Sequence, residues 1–399
     1  MIYQIILKKL PFHRCAFILM CMLLPQKGEA FLLDENRLYR SPVLLGQGHA
    51  GVAEAGFLDT FFYNPAMSTY HVSEPPPFVP DVVCTEIKKN GKVKKNNTCP
   101  LKTKLENPVS NDYVLALSLP FLEISKSTFE LIKLKKNQDH LNFIRKNVGV
   151  PLFLHEGALL LMDSAFGKIA LLQDAQVSAL TSNDLLNEGI ETAQIDFVKT
   201  LALSLNKFIK DGDFSYGFNF HFISRGRFSF KEPITDVAAL KKAKDVFKTK
   251  NGYGLGLDLG LRYDFSKTRF SLSGTNIGDV KIKKALHKGE NLNTMKQSID
   301  IGVSQHFDLM LKNVVSVDFR DLMNRQKNSM FVKSHFGHKV YLFTPLYLNW
   351  GLNQGYFSYG AGYVGKRMSL VLAHYFEEIG KTAGFRQDER YVFNVEIKW

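Results

Sequence analysis

The sequence predicts an all-β protein, a transmembrane antiparallel up-and-down β-barrel of about 14 strands, with a separate N-terminal segment and short helical inserts. Three observations lead to this prediction. The chain ends in a strictly alternating segment at 390–399, it contains a long strand with one unbroken apolar face at 251–265, and its connections alternate between short and long. A lipid-embedded barrel has these features because one face of each strand meets hydrocarbon and the other meets the lumen.

The last segment, RYVFNVEIKW, alternates between large apolar and polar side chains with the period of an extended chain. One face carries Tyr391, Phe393, Val395, Ile397 and Trp399. Taken alone, this pattern also fits the edge strand of a soluble sandwich. As a barrel strand, it would pair with the first predicted strand, 112–124, and thereby remove both edges of the sheet.

The strand at 251–265, NGYGLGLDLGLRYDF, has an apolar side chain at every second position from Tyr253 to Phe265. Strands usually run about 3–10 residues, so this long one-sided strand favours a barrel wall. Its other face, and the matching faces of later strands, would line the lumen. The polar residues expected to face the lumen are Asp258, Arg262, Asp264, Asp300, His306, Asp318 and Arg320. We interpret them as structural ion pairs, because pairing offsets the cost of burying charge.

The lengths of the connections between predicted strands give independent support for the barrel. Short turns are predicted at 164–167, 210–213, 266–268 and 365–366, and long connections at 182–191, 231–250, 279–293 and 377–388. Outer-membrane barrels have short turns at one end and longer loops at the other. The short connection at 353–354 is an exception, because a longer loop is expected there.

In chain order, the predicted strands are 112–124, 152–162, 168–180, 192–209, 214–225, 251–265, 269–277, 299–307, 315–320, 330–338, 344–352, 356–364, 368–376 and 389–399. The first strand places Leu115, Leu117 and Phe121 on one face. Helical spacing of apolar residues predicts amphipathic inserts at 128–146 and 233–250. The domain prediction is a signal peptide at 1–30, an N-terminal segment with an irregular loop at 31–110, and the barrel at 111–399.

The signal peptide is predicted from a basic start, the apolar run 16–24 and small residues near 28–30. Export would leave two cysteines, Cys84 and Cys99, on either side of a lysine- and asparagine-rich loop. An even pair in an exported chain favours a disulfide, and two free thiols are the alternative.

The formal net charge of +13 could suggest nucleic-acid binding, but no nucleic-acid motif is present. Lipid phosphates at the membrane surface or simply solvated loops account for this charge. The 11 histidines show no metal-binding spacing, and no nucleophile elbow is found. We therefore expect no metal, no cofactor and no enzymatic activity.

A glycine-rich stretch, LGQGHAGVAEAGFLDTFFYNPAM at 45–67, precedes the barrel. It lacks the Lys-Ser/Thr of a phosphate-binding loop. The sequence FYNPA at 62–66, with the Gly/Ala run before it and the hairpin-like stretches 251–278 and 349–363, resembles the FadL-type superfamily of outer-membrane barrels, including its PorV-like and TraF-like branches. The resemblance implies that this segment forms a hatch inside the barrel. The candidate hatch and ligand residues are Gly46, Gly48, Gly51, Phe62, Tyr63, Asn64, Pro65 and Ala66.

The same resemblance implies passive transport or binding of a hydrophobic small molecule such as a fatty acid. The alternative is an accessory or scaffold barrel of a secretion or conjugation system. Both place the protein in the bacterial outer membrane, with its lipid and lipopolysaccharide as surroundings. Similarity to other outer-membrane proteins further implies that Tyr391, Phe393 and Trp399 form a signal for the barrel-assembly machinery.

Overall fold

The computed structural model describes residues 37–54, 59–67, 114–134, 143, 146–164, 167–184, 190–233, 250–284, 291–308, 310–326, 328–343, 345–365, 367–379 and 387–399. The predicted signal peptide, the pair Cys84 and Cys99, and nearly all of the predicted insert at 233–250 lie outside these residues. Those three remain predictions.

The strands are β1 Val114–Ser125, β2 Pro151–Ser164, β3 Gly167–Asp184, β4 Ile190–Asp211, β5 Phe214–Pro233, β6 Lys250–Phe265, β7 Thr268–Thr275, β8 Val280–Lys283, β9 Asn291–Met295, β10 Ser298–Asp308, β11 Lys312–Phe319, β12 Ser334–Phe343, β13 Leu346–Asn353, β14 Tyr356–Val364, β15 Met368–Glu378 and β16 Gln387–Lys398. The helices are α1 Pro42–Gly46, α2 Thr60–Tyr63, α3 Lys126–Lys133 and α4 Met330–Lys333, with a 3₁₀ turn at Pro65–Met67.

All the strands except β8 and β9 form a closed antiparallel barrel of 14 strands. Each pairs with its neighbours along the chain, and β1 pairs with β16 from Ala116↔Lys398 to Ser125↔Arg390. The predicted strand number and the predicted closure by the last strand are both confirmed. Within the described residues, no helix is long and apolar enough to cross a membrane.

Every second side chain of each strand points outwards, and the outer surface of the barrel is apolar because most of these side chains are apolar. On β6, Leu255 and Leu257 are 50% and 37% exposed, whereas Gly256 and Asp258 between and beside them face inwards and are buried. Exposed apolar side chains continue around the wall at Leu203, Leu205, Phe218, Phe220, Phe270, Leu272, Ile301, Val303, Val317, Phe336, Leu348, Leu352, Leu372, Tyr391 and Phe393. A surface of this kind suits contact with lipid.

The barrel has two unlike ends. One end, here called the turn rim, carries the start of β1, the end of β16 and the connections 164–167, 211–214, 265–268, 308–312, 343–346 and 364–368. The opposite end, the loop rim, carries the longer connections and the short turn at 353–356. The predicted alternation is confirmed, including its exception, where Gln354 and Gly355 adopt positive φ angles of 56° and 89°.

One predicted face is wrong. Phe121 points into the lumen and is 1% exposed, whereas Leu115 is 36% exposed on the outside. The register of β1 against β2 shifts between Ser118 and Phe121, and this extra residue reverses the alternation. The shift spans Pro120, which has no backbone N–H to donate to a neighbouring strand.

The predicted loop at 279–293 contains an additional hairpin, β8–β9, which pairs from Val280↔Met295 to Lys283↔Asn291. It folds into the lumen against β6. A Cβ atom placed on Gly254 would lie 2.7 Å from Ile282 Cδ1, and one on Gly256 would lie 3.1 Å from Val280 Cγ2. The strands are too short to show a reliable period in the sequence, so the hairpin was missed.

Two more predicted elements involve short helices. Of the insert predicted at 128–146, the described residues form α3 at Lys126–Lys133, where Ser125 caps the helix by accepting a hydrogen bond from the backbone nitrogen of Thr128, and Phe143 and Lys146 are helical as well. The strand predicted at 330–338 begins at Ser334, because Met330–Lys333 is the short helix α4. Apolar spacing over four residues does not separate one helical turn from a strand.

Candidate functional site

The described N-terminal residues, 37–54 and 59–67, lie inside the barrel, and we call them the hatch. Its buried residues are Leu38, Tyr39, Arg40, Ser41, Leu44, Leu45, Gln47, His49, Ala50, Val52, Ala53, Asp59, Thr60, Phe61, Phe62, Tyr63, Asn64, Ala66 and Met67. All eight candidate residues named from the sequence lie in this segment.

The local fold of the hatch follows from a few residues. Ser41 caps α1 by accepting a hydrogen bond from the backbone nitrogen of Leu44 (3.3 Å), and Pro42 suits the first turn. Gly48 then has a φ of +63° and passes very close to the wall. A Cβ atom there would lie 2.7 Å from the backbone nitrogen of Leu352, so only glycine fits.

The Asn-Pro-Ala part of the hatch is held against two glycines of the wall. The amide oxygen of Asn64 accepts a hydrogen bond from the backbone nitrogen of Ala66 (3.0 Å) and forms a tight turn. A Cβ atom on Gly260 would lie 2.7 Å from that same nitrogen, and one on Gly217 would lie 3.0 Å from it. The NPA sequence and the lumen-facing glycines therefore form one fitted contact.

His49 lies at the centre of the hatch between two partners. Its Nδ1 atom accepts a hydrogen bond from Arg320 (3.0 Å), and its Nε2 atom is 2.6 Å from the hydroxyl of Tyr63. Arg320 also donates to the backbone oxygen of His49. Burial and the charge of Arg320 lower the pKa of His49 well below its usual value. His49 is therefore neutral when the hatch is seated.

Two carboxylates at the loop-rim end of the lumen hold the hatch from the wall. Asp318 accepts hydrogen bonds from the backbone nitrogens of Gly51 (2.6 Å) and Val52 (2.9 Å). Asp300 pairs with Arg37 at 2.7 Å. The predicted lumen residues Asp300, Asp318 and Arg320 thus contact the hatch. Within the wall, Arg320 and Asp318 are 3.8 Å apart, a looser pair than either makes with the hatch.

A buried cluster on β1, β2, β15 and β16 holds Arg40 and was not predicted. Glu123 lies 3.6 Å from Arg40, and it also pairs with His155 (2.9 Å) and Arg390 (3.0 Å). Arg40 makes a second pair, with Glu377. The sequence gives no sign of this cluster, because its charged residues lie on separate strands and come together only when the sheet closes.

Glu54 anchors the hatch towards the turn rim. It accepts hydrogen bonds from Arg269 (2.9 Å), Ser304 (2.5 Å) and His306 (2.7 Å). Burial alone would raise the pKa of Glu54, but the hydrogen bond to His306 and the charge of Arg269 outweigh it and lower the pKa to about 2. The predicted lumen residue His306 is in place, whereas Glu54 and Arg269 were missed.

The remaining predicted lumen residues form two groups. Arg262 pairs with Asp264, with Nε donating to the carboxylate at 2.7 Å. Asp258 instead lies 2.7 Å from Nε2 of His221, and Nδ1 of His221 lies 2.6 Å from the hydroxyl of Ser204.

Ser204, His221 and Asp258 have the composition of a hydrolytic triad, but the serine hydroxyl is buried. Ser204 is 0% exposed, and the ring of Phe62 in the hatch stacks on His221 at 6.1 Å between centroids. In this arrangement the three residues form a hydrogen-bonded bridge across β4, β5 and β6. Within the described part of the chain, no cluster of three or more His, Cys, Asp or Glu side chains could hold a metal ion.

Beside these polar groups, the β1–β5 side of the lumen carries an apolar cluster. Tyr39, Phe61 and Phe62 of the hatch belong to one buried apolar cluster with wall residues of β1 to β5. These wall residues are Ala116, Phe121, Leu159, Leu161, Ala170, Leu172, Ala202 and Ile223. The hatch thus has a polar side, anchored mainly to β10–β16, and an apolar side that packs on β1–β5.

Comparison with solved structures found barrels at low sequence identity. Over 72% of this chain, CymD, a monoaromatic hydrocarbon channel, matches with 10% identity, a TM-score of 0.38 and 87% of its own length. The toluene transporter TodX of Pseudomonas putida matches over 72% of this chain with 11% identity, a TM-score of 0.34 and 87% of its length. CdiB from Acinetobacter baumannii matches over 72% of this chain with 10% identity and a TM-score of 0.33, and the chain spans only 60% of its length.

No protein-family model matches the sequence, and no curated protein matches it either. The function of the lumen therefore has to be inferred from its own geometry.

Proposed function

We propose that this protein lies in the bacterial outer membrane and lets small hydrophobic molecules, such as fatty acids, pass through its lumen without energy input. The hatch would act as the gate. The observation that carries this proposal is the two-sided lumen, in which apolar wall residues of β1–β5 pack on apolar hatch residues.

The two sides of the lumen differ in whether an apolar molecule could replace the contacts between the hatch and the wall. On the polar side, the contacts of Asp318 and Asp300 with the hatch are charge-assisted hydrogen bonds, which no hydrocarbon can replace. On the apolar side, contacts such as Tyr39 of the hatch with Phe121 of β1, at 5.5 Å between ring centroids, are non-directional. A hydrophobic molecule would therefore compete for the β1–β5 side while the polar side keeps the hatch attached.

The outer wall supports the proposed location. Its exposed apolar side chains form a continuous band, and Trp399 is 63% exposed at the turn rim, where interfacial aromatic residues are common. We further propose that Tyr391, Phe393 and Trp399 are read by the barrel-assembly machinery. Replacing Trp399 with Ala should slow the appearance of the heat-modifiable folded form in cells, whereas Trp350→Ala should not.

Uptake by purified protein in lipid vesicles tests the transport proposal. Vesicles would contain a pH dye to report entry of a long-chain fatty acid, and toluene would be measured in parallel as a compact apolar molecule. We expect protein-dependent entry of the fatty acid, and a changed rate when Asn64–Ala66 is deleted. A rate equal to that of protein-free vesicles, for both the intact and the deleted protein, would refute transport.

A scaffold role in secretion or conjugation remains the second candidate, and the dense polar anchoring of the hatch favours it. Glu54 alone accepts three hydrogen bonds from the wall, which is more than a freely opening gate requires. Under this reading, the vesicles would show no entry of either molecule, and crosslinking in cells would capture a partner on the loop-rim or turn-rim surface.

A further inference from the structure

The lumen face of β6 contacts two separate parts of the chain that fill the lumen, the β8–β9 hairpin and the hatch. Its first three inward glycines, Gly252, Gly254 and Gly256, lie under the β8–β9 hairpin, and Gly260 lies under the Asn-Pro-Ala turn of the hatch. Asp258 is the one inward residue between the two groups.

Asp258 makes hydrogen bonds on the side of the hairpin and on the side of the hatch. One carboxylate oxygen accepts a hydrogen bond from the backbone nitrogen of Asn276 (2.8 Å), at the root of the hairpin. The other lies 2.7 Å from His221, on which the hatch residue Phe62 stacks with an interplanar angle of 18°. A second link runs beside it, because Asn219, the cross-strand partner of Asp258, donates to the backbone oxygen of Phe61 (2.6 Å).

The hairpin makes few ladder contacts with the barrel wall. Its only ladder pairing with the barrel wall, among the described residues, is Tyr253↔Lys283. Val280, Ile282 and Met295 bury it in the apolar cluster that also contains hatch residues. The hairpin is therefore held by this packing and by its root, where Asn276, Gly278 and Asp279 all have positive φ and Arg325 donates two hydrogen bonds to the carboxylate of Asp279, both at 2.9 Å.

We propose that the β8–β9 hairpin is a second plug, at the loop rim, and that His221 and Asp258 couple its release to movement of the hatch. When Phe62 leaves His221, the imidazole loses the packing that holds it against Asp258, and Asp258 no longer holds the root of the hairpin in place. Coupling is reciprocal, so release of the hairpin loosens the hatch. The coupling does not depend on which molecule the barrel carries.

Hydrogen exchange on the full-length mature protein in detergent micelles tests this coupling without any transport assay. Phe62→Ala should speed exchange of the hairpin amides at 280–283 and 291–295 by about 5-fold or more, the lower end of typical coupling between sites. Ser358→Ala is the matched control, because it removes a hydrogen bond to the hatch at Gly48, on the far side of the lumen. This control should leave exchange of the hairpin unchanged.

The decisive measurement is the effect of Phe62→Ala in a His221→Phe background, which keeps a ring under Phe62 but removes the hydrogen bond to Asp258. The effect on the hairpin should largely disappear there. Asp258→Asn, which keeps the shape and removes the charge, provides a second background if His221→Phe does not fold. An equal effect in every background would show that apolar packing alone links the plugs, and no effect of Phe62→Ala would show that they are independent; either result overturns the proposal.

Discussion

The carboxylate of Asp318, near the loop-rim end of β11, lies 2.6 Å from the backbone nitrogen of Gly51, which is 267 positions earlier in the chain. The same oxygen accepts a second hydrogen bond, from Val52 at 2.9 Å. One wall residue thus satisfies two consecutive backbone groups of the hatch. Hydrogen bonds to a charged group are worth about 1.5–3 kcal/mol each, so Asp318 is a principal anchor of the closed state.

We expect Asp318→Asn to speed hydrogen exchange of the hatch amides at 50–53 by about 10-fold, because the amide keeps one acceptor but loses the charge. Exchange within β11 should change little. Asp308→Asn is the control, since Asp308 is exposed and pairs only with exposed Lys267 among the contacts described. Equal protection of the hatch in both variants would contradict the anchoring role.

Gly260→Ala should unseat the Asn-Pro-Ala turn of the hatch. The added Cβ atom would lie 2.7 Å from the backbone nitrogen of Ala66, a contact that only movement of the hatch can relieve. Single-channel recordings in planar bilayers should show more frequent openings than wild type. Gly274→Ala should not, because its new Cβ atom would approach only the flexible end of Ile277.

Lower pH should weaken seating of the hatch through His49. Its pKa is lowered by burial in the seated state, so a released hatch binds a proton that the seated hatch does not. The stabilisation from His49 is complete above about pH 6.5 and falls by up to about 1.4 kcal/mol per pH unit below it. Hatch exchange between pH 7.5 and 5.5, corrected for intrinsic rates, should show this loss.

His49→Gln should flatten the pH dependence over that interval, because its side chain does not titrate. Any strain from the positive φ of 63° at this position would affect all pH values equally. An unchanged slope would show that His49 is not the source of the pH dependence.

Leu257→Arg should destabilise the barrel by about 2–4 kcal/mol, the cost of a cation near the middle of a lipid-facing strand. Leu257 is 37% exposed on the outer face of β6, next to inward Asp258. Leu257→Phe is the control and should be nearly neutral, since it keeps an apolar group in lipid. Unfolding in urea, in lipid vesicles, measures both; equal stabilities would argue against lipid contact at this position.

The local pattern of apolar and polar residues was sufficient to predict the strands of the barrel wall. Period-two alternation is a property of neighbouring residues, so the strands around Leu257, the closing strand with Phe393 and the alternation of turns and loops could all be read in advance. It failed at Phe121, where one inserted residue reversed the faces of the strand.

By itself, the sequence determined the barrel, its strand number and its closure. Only the tertiary structure decided which wall residues hold the hatch. Asp318 with Gly51, Glu54 with Arg269, and His221 with Asp258 and Phe62 are contacts between distant parts of the chain. The physical reason is that such contacts arise when the sheet closes and brings inward faces of separate strands around one lumen, which local periodicity does not encode.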